Sequence, residues 1–176
     1  MPYTVAPFAW NHWRALWQLR LHQLAEDGII LTAEAIPAAP EDSGRDAPEW
    51  DYDHIAEVYL CGAGGFWLAF EQNEPLGHVA GQDLGGVVEL RHMYVRREFR
   101  RRGIGAALVQ ALLDHVRGKG ICAVELWTAG EGVGRKLYER VGFRAVGAPG
   151  SQFTDLAWRT NYVPGEDEVR MHMDLR

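Results

Sequence analysis

The stretch RREFRRRGIG, residues 96–105, places five arginines and two glycines in ten positions of a chain whose net charge is −6. Three chemistries fit such a stretch: a nucleic-acid patch, a solvated turn, or a cradle for a phosphate-bearing cofactor. A nucleic-acid surface needs basic charge spread over a face, which an acidic chain does not offer. The apolar run that follows, GIGAALVQALLDHVRGKG, reads as a helix, and its N-terminus supplies unpaired N–H groups for an anion. Gly103 and Gly105 let that anion approach the backbone closely, with Arg100, Arg101 and Arg102 at the rim. A dinucleotide fingerprint does not fit: Leu108 stands where the third glycine is required, although Glu125 lies near the spacing expected of its acidic residue. Residues 96–102 also separate the preceding strand from the glycines. GEGVGRK, from residue 130, lacks the Gly-Lys-Ser/Thr of a nucleotide-binding P-loop.

Two further residue types carry proton chemistry. Glu89 interrupts the apolar run VVELRHMYV, where a carboxylate set against a sheet acquires a raised pKa suited to a general base. Its competing role is an ion pair with Arg91, two residues along on the same strand face. Tyr138, in KLYERVGF, offers a phenol that stays protonated at neutral pH and can act as a general acid; its competing role is packing beside Leu137. His78, His92 and Glu125 are weaker candidates. The seven histidines show no HExxH or other metal spacing, so no metal site is expected.

These residues need elements to hold them. At 176 residues and 47% hydrophobic, the chain suits one globular domain, spanning residues 1–176. A strand is expected over 3–8. An amphipathic helix follows from Trp10, with Trp10, Trp13, Trp17, Leu21 and Leu24 as its inner stripe. Residues 32–53 read as an acidic loop that has room for one helical turn, and 53–62 as a short helix with Asp53 as N-cap. Three antiparallel strands come next, turning at NEP (73–75) and at Gly85-Gly86. The helix from Gly103, a strand over 121–128, a helix ending at Gly142 and two last strands complete the order. The fold class is α/β: a mixed, mostly antiparallel sheet of about seven strands with helices on both faces.

Arg100-x-x-Gly103-x-Gly105, after ELRHMYV and opening an apolar helix, resembles the acyl-CoA-binding motif of the GNAT N-acetyltransferase superfamily. KLYERVGF resembles that family's second signature, and together the two motifs cover about residues 86–146. The resemblance implies an acetyl-CoA-dependent N-acetyltransferase acting on a primary amine of a small molecule or peptide. The cosubstrate's pyrophosphate would sit on backbone N–H groups from Arg101 through Arg102, Gly103, Ile104 and Gly105 to Ala106. Its pantetheine arm would lie along Met93, Tyr94 and Val95, with Glu89 as base and Tyr138 as acid. Two positions depart from the second signature. Glu131 stands where the family has asparagine, and Gly134 where it has alanine. Gly132 and Gly134 are expected to weaken the helix start by about 1 kcal/mol each.

The acceptor side falls in residues 1–90, where three basic side chains face 14 acidic ones, whereas residues 91–176 carry 15 against 10. Glu41, Asp42, Asp46, Glu49, Asp51 and Asp53, with Trp50 and Tyr52, suit a cationic amine or form a solvated loop. Trp67, Trp127 and Trp158 either wall the cleft or pack in the core. Cys61 and Cys122 read as free thiols in a reducing cytoplasm. Neither a secretory leader nor a membrane span is expected. No nucleic-acid partner is expected, and a homodimer is left open. A non-catalytic CoA-binding sensor or assembly module is the alternative function.

Overall fold

The computed structural model describes residues 2–29, 36–40, 50–146 and 167–176. Its centre is a seven-stranded sheet in the order β1-β2-β3-β4-β5-β7-β6. The strands are β1 (Thr4–Pro7), β2 (Gly65–Glu71), β3 (Glu74–Asp83), β4 (Val87–Val95), β5 (Ala123–Ala129), β6 (Arg144–Ala145) and β7 (Glu168–Asp174). Among the described residues only β4 and β5 run parallel; every other pair is antiparallel. That one parallel pair needs a crossover, and α4 (Ile104–Gly118) supplies it.

Alternation along the strands gives the sheet two apolar faces, each roofed by helices. Trp67, Ala69, Val79, Val88 and Leu90 face α4, whose Ile104, Leu108, Leu112 and Val116 are buried on them. Tyr138 of α5 (Val133–Val141) joins the same core. Phe66, Leu68, Ala80 and Tyr94 face the other way, toward α1 (Trp13–Glu26), α2 (Trp50–Asp53) and α3 (Ile55–Val58). The expected mixed sheet with helices on both faces is the fold observed. Trp67 is a core residue, whereas Trp158, with Glu41, Asp42, Asp46 and Glu49, lies outside the described residues.

Local details differ from the sequence reading for identifiable reasons. Trp10 sits in a 3-10 turn (Trp10–His12) ahead of α1 and is 52% exposed, so it does not continue the inner stripe. Leu16 and Leu19 are buried instead. The first hairpin turns at Gln72 and Asn73, both with positive φ, rather than at NEP. Such a pair of left-handed residues matches the twist of the flanking strands, and Pro75 is then free to enter β3 opposite Phe70. The short helix near residue 53 begins earlier, at Trp50, and the N-cap of α3 is His54 rather than Asp53.

Gly77 lies where β3 meets the end of β4. A Cβ there would stand 2.5 Å from the Tyr94 carbonyl oxygen and 3.1 Å from the Val95 Cα. Backbone atoms cannot move aside as a side-chain tip can. Gly77→Ala is therefore expected to lower stability by about 1–3 kcal/mol in urea denaturation, the usual cost of overpacking. An unchanged midpoint would show that β4 can shift there freely.

Candidate active site

The site begins with one extra residue. His78 pairs with Tyr94 and Ala80 with Arg91, so Val79 alone opposes both His92 and Met93. This is a β-bulge on β4, and His92 takes a positive φ of 48° to make it. Glu89, Arg91, His92 and Tyr94 thereby share the face toward α1 and α2, as His92 bonds to Asp51 of α2 and Tyr94 to Glu26 of α1. Met93 turns to the α4 face, where it packs against the main core. The parallel pairing with β5 runs only from Val87 to Glu89. Beyond Glu89 the two strands part. Arg96 gives its N–H to the Leu76 carbonyl, so the N–H and C=O of Val95 point to the opposite edge of β4, into that parting.

The arginine stretch closes one end of it. Arg100 donates Nε to the Val95 carbonyl at 2.8 Å and Nη2 to Glu26 at 2.5 Å. Glu26, at the end of α1, also accepts the Tyr94 hydroxyl at 2.7 Å and the Arg97 N–H at 3.2 Å. Arg102 pairs with Glu71, and Arg96 with Glu74 and Glu98. Three of the five guanidinium groups thus shape the loop and do not stand free at its rim. Arg97 and Arg101 are exposed and have no side-chain partner among the described residues.

Gly103, at φ 82°, is the N-cap of α4. The first bond into the helix is Ala107 N–H to the Gly103 carbonyl at 3.0 Å, so the N–H groups of Ile104, Gly105 and Ala106 precede the ladder and remain available to an anion. Gly105 has a packing task as well. A Cβ on it would meet Met93 Cε and Leu137 Cδ2, each at 3.1 Å. Its missing side chain lets α4 sit against β4 and α5.

Glu89 is 5% exposed, and among the described residues its Oε2 has no hydrogen-bond partner. Burial pushes its pKa up to about 6 against the pull of Arg91, with the Glu125 charge adding to the rise. Arg91 is directed at Asp51, at 3.5 Å, and at Gln82, at 3.1 Å. Glu125, beside Glu89 in register, is bound to Arg170 and His172 of β7. Tyr138 is buried with its ring edge-on to Phe143, and burial raises its pKa, which keeps the hydroxyl protonated at neutral pH. Glu131 is exposed ahead of α5. Gly132 is the N-cap of α5 at φ 142°, outside the helix, so the expected loss of helix propensity does not apply to it. Gly134 is inside the helix. Its Cβ would lie 3.1 Å from the Thr128 hydroxyl and 3.8 Å from the Tyr138 ring, which ties the glycine to the seat of that tyrosine.

Residues 29–143 match the model of the acetyltransferase (GNAT) family. The chain belongs to that family. It is 38% identical over 101 residues to N-acetylaspartate synthetase of Danio rerio, a match that covers 55% of this chain and 36% of that protein. It spans little more than a third of the length of several curated relatives. Among solved structures, a GNAT acetyltransferase of Staphylococcus aureus superposes with a TM-score of 0.74 at 19% identity, covering 99% of both chains. The PaiA N-acetyltransferase of Thermoplasma acidophilum, in complex with coenzyme A, superposes at 0.67 with 16% identity, again over 99% of each.

The GNAT motifs did not disclose Asp51, which sequence reading had put in a solvated or acceptor-binding acidic loop. It is 1% exposed. Its Oδ2 accepts the Tyr59 hydroxyl at 2.6 Å and faces His92 Nε2 at 2.5 Å, with Arg91 beyond. Burial alone would raise its pKa, but His92, Tyr59 and Arg91 outweigh that and hold it at about 2. No spacing signal links residue 51 to 92, or Glu26 to Arg100; the sheet register brings each pair together. Among the described residues, no cluster of three or more potential metal ligands occurs and no helix is long and apolar enough to cross a membrane. Both cysteines are free and exposed.

Glu89 carries a pH signature that needs no substrate. Its folded-state pKa lies above the ordinary 4.5, so the folded chain binds an extra proton between those values. The stability that the protonated carboxyl contributes is full below pH 4.5 and is lost as pH rises through about 6. Glu89→Gln should therefore gain about 2 kcal/mol on wild type between pH 4 and pH 8 in urea denaturation. A difference that ignores pH would mean that the carboxylate is solvated.

Proposed function

We propose that this chain transfers an acetyl group from acetyl-CoA to a primary amine, with Glu89 as base and Tyr138 as acid. The observation that carries the reading is the parting of β4 from β5, which leads from the unpartnered Glu89 oxygen to the free N–H groups at the start of α4. The family membership and the coenzyme A complex of the PaiA enzyme support it.

The residues present fit acetyl-CoA. Ile104, Gly105 and Ala106 would give N–H groups to the pyrophosphate, with Arg97 and Arg101 adding charge at its edge. Val95, whose N–H points into the parting, would donate to the pantetheine arm or to the carbonyl oxygen as negative charge develops there. When bound, acetyl-CoA supplies an acetyl group activated as a thioester. Glu89 then takes a proton from the amine nitrogen as the C–N bond forms. The Tyr138 hydroxyl gives its proton to sulfur as the C–S bond breaks.

The acceptor would enter on the face of β4 that carries Glu89, Arg91 and His92. An amine with a nearby carboxylate is within reach of this proposal, as the name of the Danio rerio relative suggests. Asp51 is turned inward and paired with Arg91, so it is not itself open to a cationic acceptor.

Isothermal titration should show saturable acetyl-CoA binding and no binding of NAD. Gly103→Glu should weaken acetyl-CoA binding by at least tenfold while keeping a cooperative thermal transition, since only the Tyr3 hydroxyl lies near its Cβ, at 3.4 Å. A positive φ makes that substitution cost about 1 kcal/mol or more in stability. Tyr138→Phe should lower kcat by about 10²-fold or more and leave acetyl-CoA affinity nearly intact. Equal acetyl-CoA affinity in the Gly103→Glu variant would sink the site; wild-type kcat in Tyr138→Phe would return the tyrosine to packing.

A further inference from the structure

Acylating an ammonium ion removes two protons from nitrogen. One must leave before the lone pair can attack, and the second after the C–N bond has formed. Glu89 is sealed, with an unpartnered oxygen, and can serve one of these steps. From the geometry of β4 we infer a second proton acceptor, His92, oriented by Asp51, that takes the first proton from the incoming ammonium. This rests on the acyl-transfer reading above.

The bulge is what delivers His92 to this face. Without the extra residue its side chain would alternate to the α4 side, away from Arg91. A non-glycine residue at φ 48° is conformationally costly, and the cost is retained at the point where β4 leaves β5.

The ring is then fixed from several sides. Its Nε2 lies 2.5 Å from Asp51 Oδ2. The Tyr52 ring packs on it at 4.4 Å between centroids, and Tyr59 meets it edge-on at 5.6 Å. Asp51 is itself held by the Tyr59 hydroxyl and by Arg91. A carboxylate with so many donors stays ionised and demands the imidazole proton on Nε2, which leaves Nδ1 with its lone pair. Among the described residues Nδ1 has no hydrogen-bond partner, and the His92 side chain keeps 18% of its surface open. The other titratable or charged groups around the ring are Arg20 of α1 and Arg91, whose charges disfavour the imidazolium, and His78 of β3. Burial is the main influence that lowers the His92 pKa, against the pull of Asp51, and it favours the neutral ring.

The protons then balance. The ammonium gives one to Nδ1, which passes it to solvent through the open side of the ring. The neutral nitrogen attacks, the C–N bond forms and the C–S bond breaks. Glu89 takes the second nitrogen proton, Tyr138 protonates the sulfur, and Glu89 returns its proton through solvent to the tyrosine. The sum is an amide, a thiol and one proton released. His92 would be a catalytic residue and Asp51 its positioning residue.

The first test needs no acceptor. In protein labelled with ¹⁵N-histidine, two-bond ¹⁵N–¹H correlation at pH 7 should show His92 protonated on Nε2 and bare on Nδ1. A proton on Nδ1, or on both nitrogens, overturns the inference even if variants fail to fold. The second test uses the best acceptor from a panel of amino acids, polyamines and peptide N-termini. His92→Gln should lose at least tenfold in kcat/KM at pH 7, and the loss should shrink to within about threefold as pH passes the pKa of the amine. Asp51→Asn should show the same trend with mixed His92 tautomers. The loss in Glu89→Gln should persist across that range. A His92→Gln loss that ignores pH overturns the inference while leaving acyl transfer standing. Absence of wild-type turnover with every amine overturns the acyl-transfer reading and, with it, the task assigned to His92.

Discussion

Val79 of β3 faces two residues of β4, and the site follows from that single mismatch in the ladder. A bulge re-aims every side chain beyond it and turns the strand. Here it sets Arg91 and His92 on one face, sends Met93 to the other, and accompanies the end of pairing with β5 after Glu89. The backbone edge so exposed would be a liability in an ordinary sheet, because unpaired N–H and C=O groups invite another strand. In this chain the Arg100 guanidinium already occupies one of those groups, the Val95 carbonyl. What remains is a short, one-sided edge suited to an extended ligand rather than to a strand.

The placement of positive charge in an acidic chain has its explanation in the same region. Glu26, Glu71, Glu74 and Glu98 bind three of the five arginines of the loop. Exposed pairs of this kind contribute little to stability, about 0–1 kcal/mol each. Their effect is geometric. Glu26 gathers Tyr94, the Arg97 N–H and Arg100 onto one carboxylate, which connects the end of α1 to the loop that precedes α4. Arg97 and Arg101 keep their charge open to solvent. The cluster therefore divides into arginines that hold the loop in place and arginines whose charge faces solvent.

Much of this architecture is legible in the sequence, and the reason is periodicity. Strands β2 to β5, helices α1, α4 and α5 and the turn at Gly85-Gly86 announce themselves through alternation, helical spacing and glycines. Gly103 could be placed at the head of α4 on the same grounds. What the sequence hides is any bond between distant segments. Glu26 and Arg100 meet only because α1 packs over β3 and ends near Tyr94 of β4, and Asp51 meets His92 only because the bulge turns the histidine toward α2. An acidic stretch rich in proline reads as solvated loop until a fold buries one of its carboxylates. Gly105 shows the converse. Its type is right for a phosphate loop, and its Cβ position points at Met93 and Leu137, so packing also demands a glycine there, which no spacing discloses.

The face of β4 toward α1 and α2 carries one carboxylate from its own strand and receives another from α2, and their surroundings push the two apart. Both are nearly sealed from solvent. Each has one oxygen without a hydrogen-bond partner among the described residues. The other oxygen of Asp51 gathers His92, Tyr59 and Arg91 and its pKa is held at about 2, whereas Glu89 rises to about 6. Burial acts on both in the same direction, so the number of donors decides the outcome. A carboxylate that is always ionised can orient a neighbour but cannot exchange protons near neutral pH. One poised near 6 can do so. Environments that separate two like groups in this way define distinct roles for them: Asp51 orients, and Glu89 is left able to titrate. The guanidinium of Arg91, 3.5 Å from Asp51, draws both carboxyls down, but on Glu89 that pull does not overcome burial, whereas on Asp51 it adds to the His92 and Tyr59 hydrogen bonds.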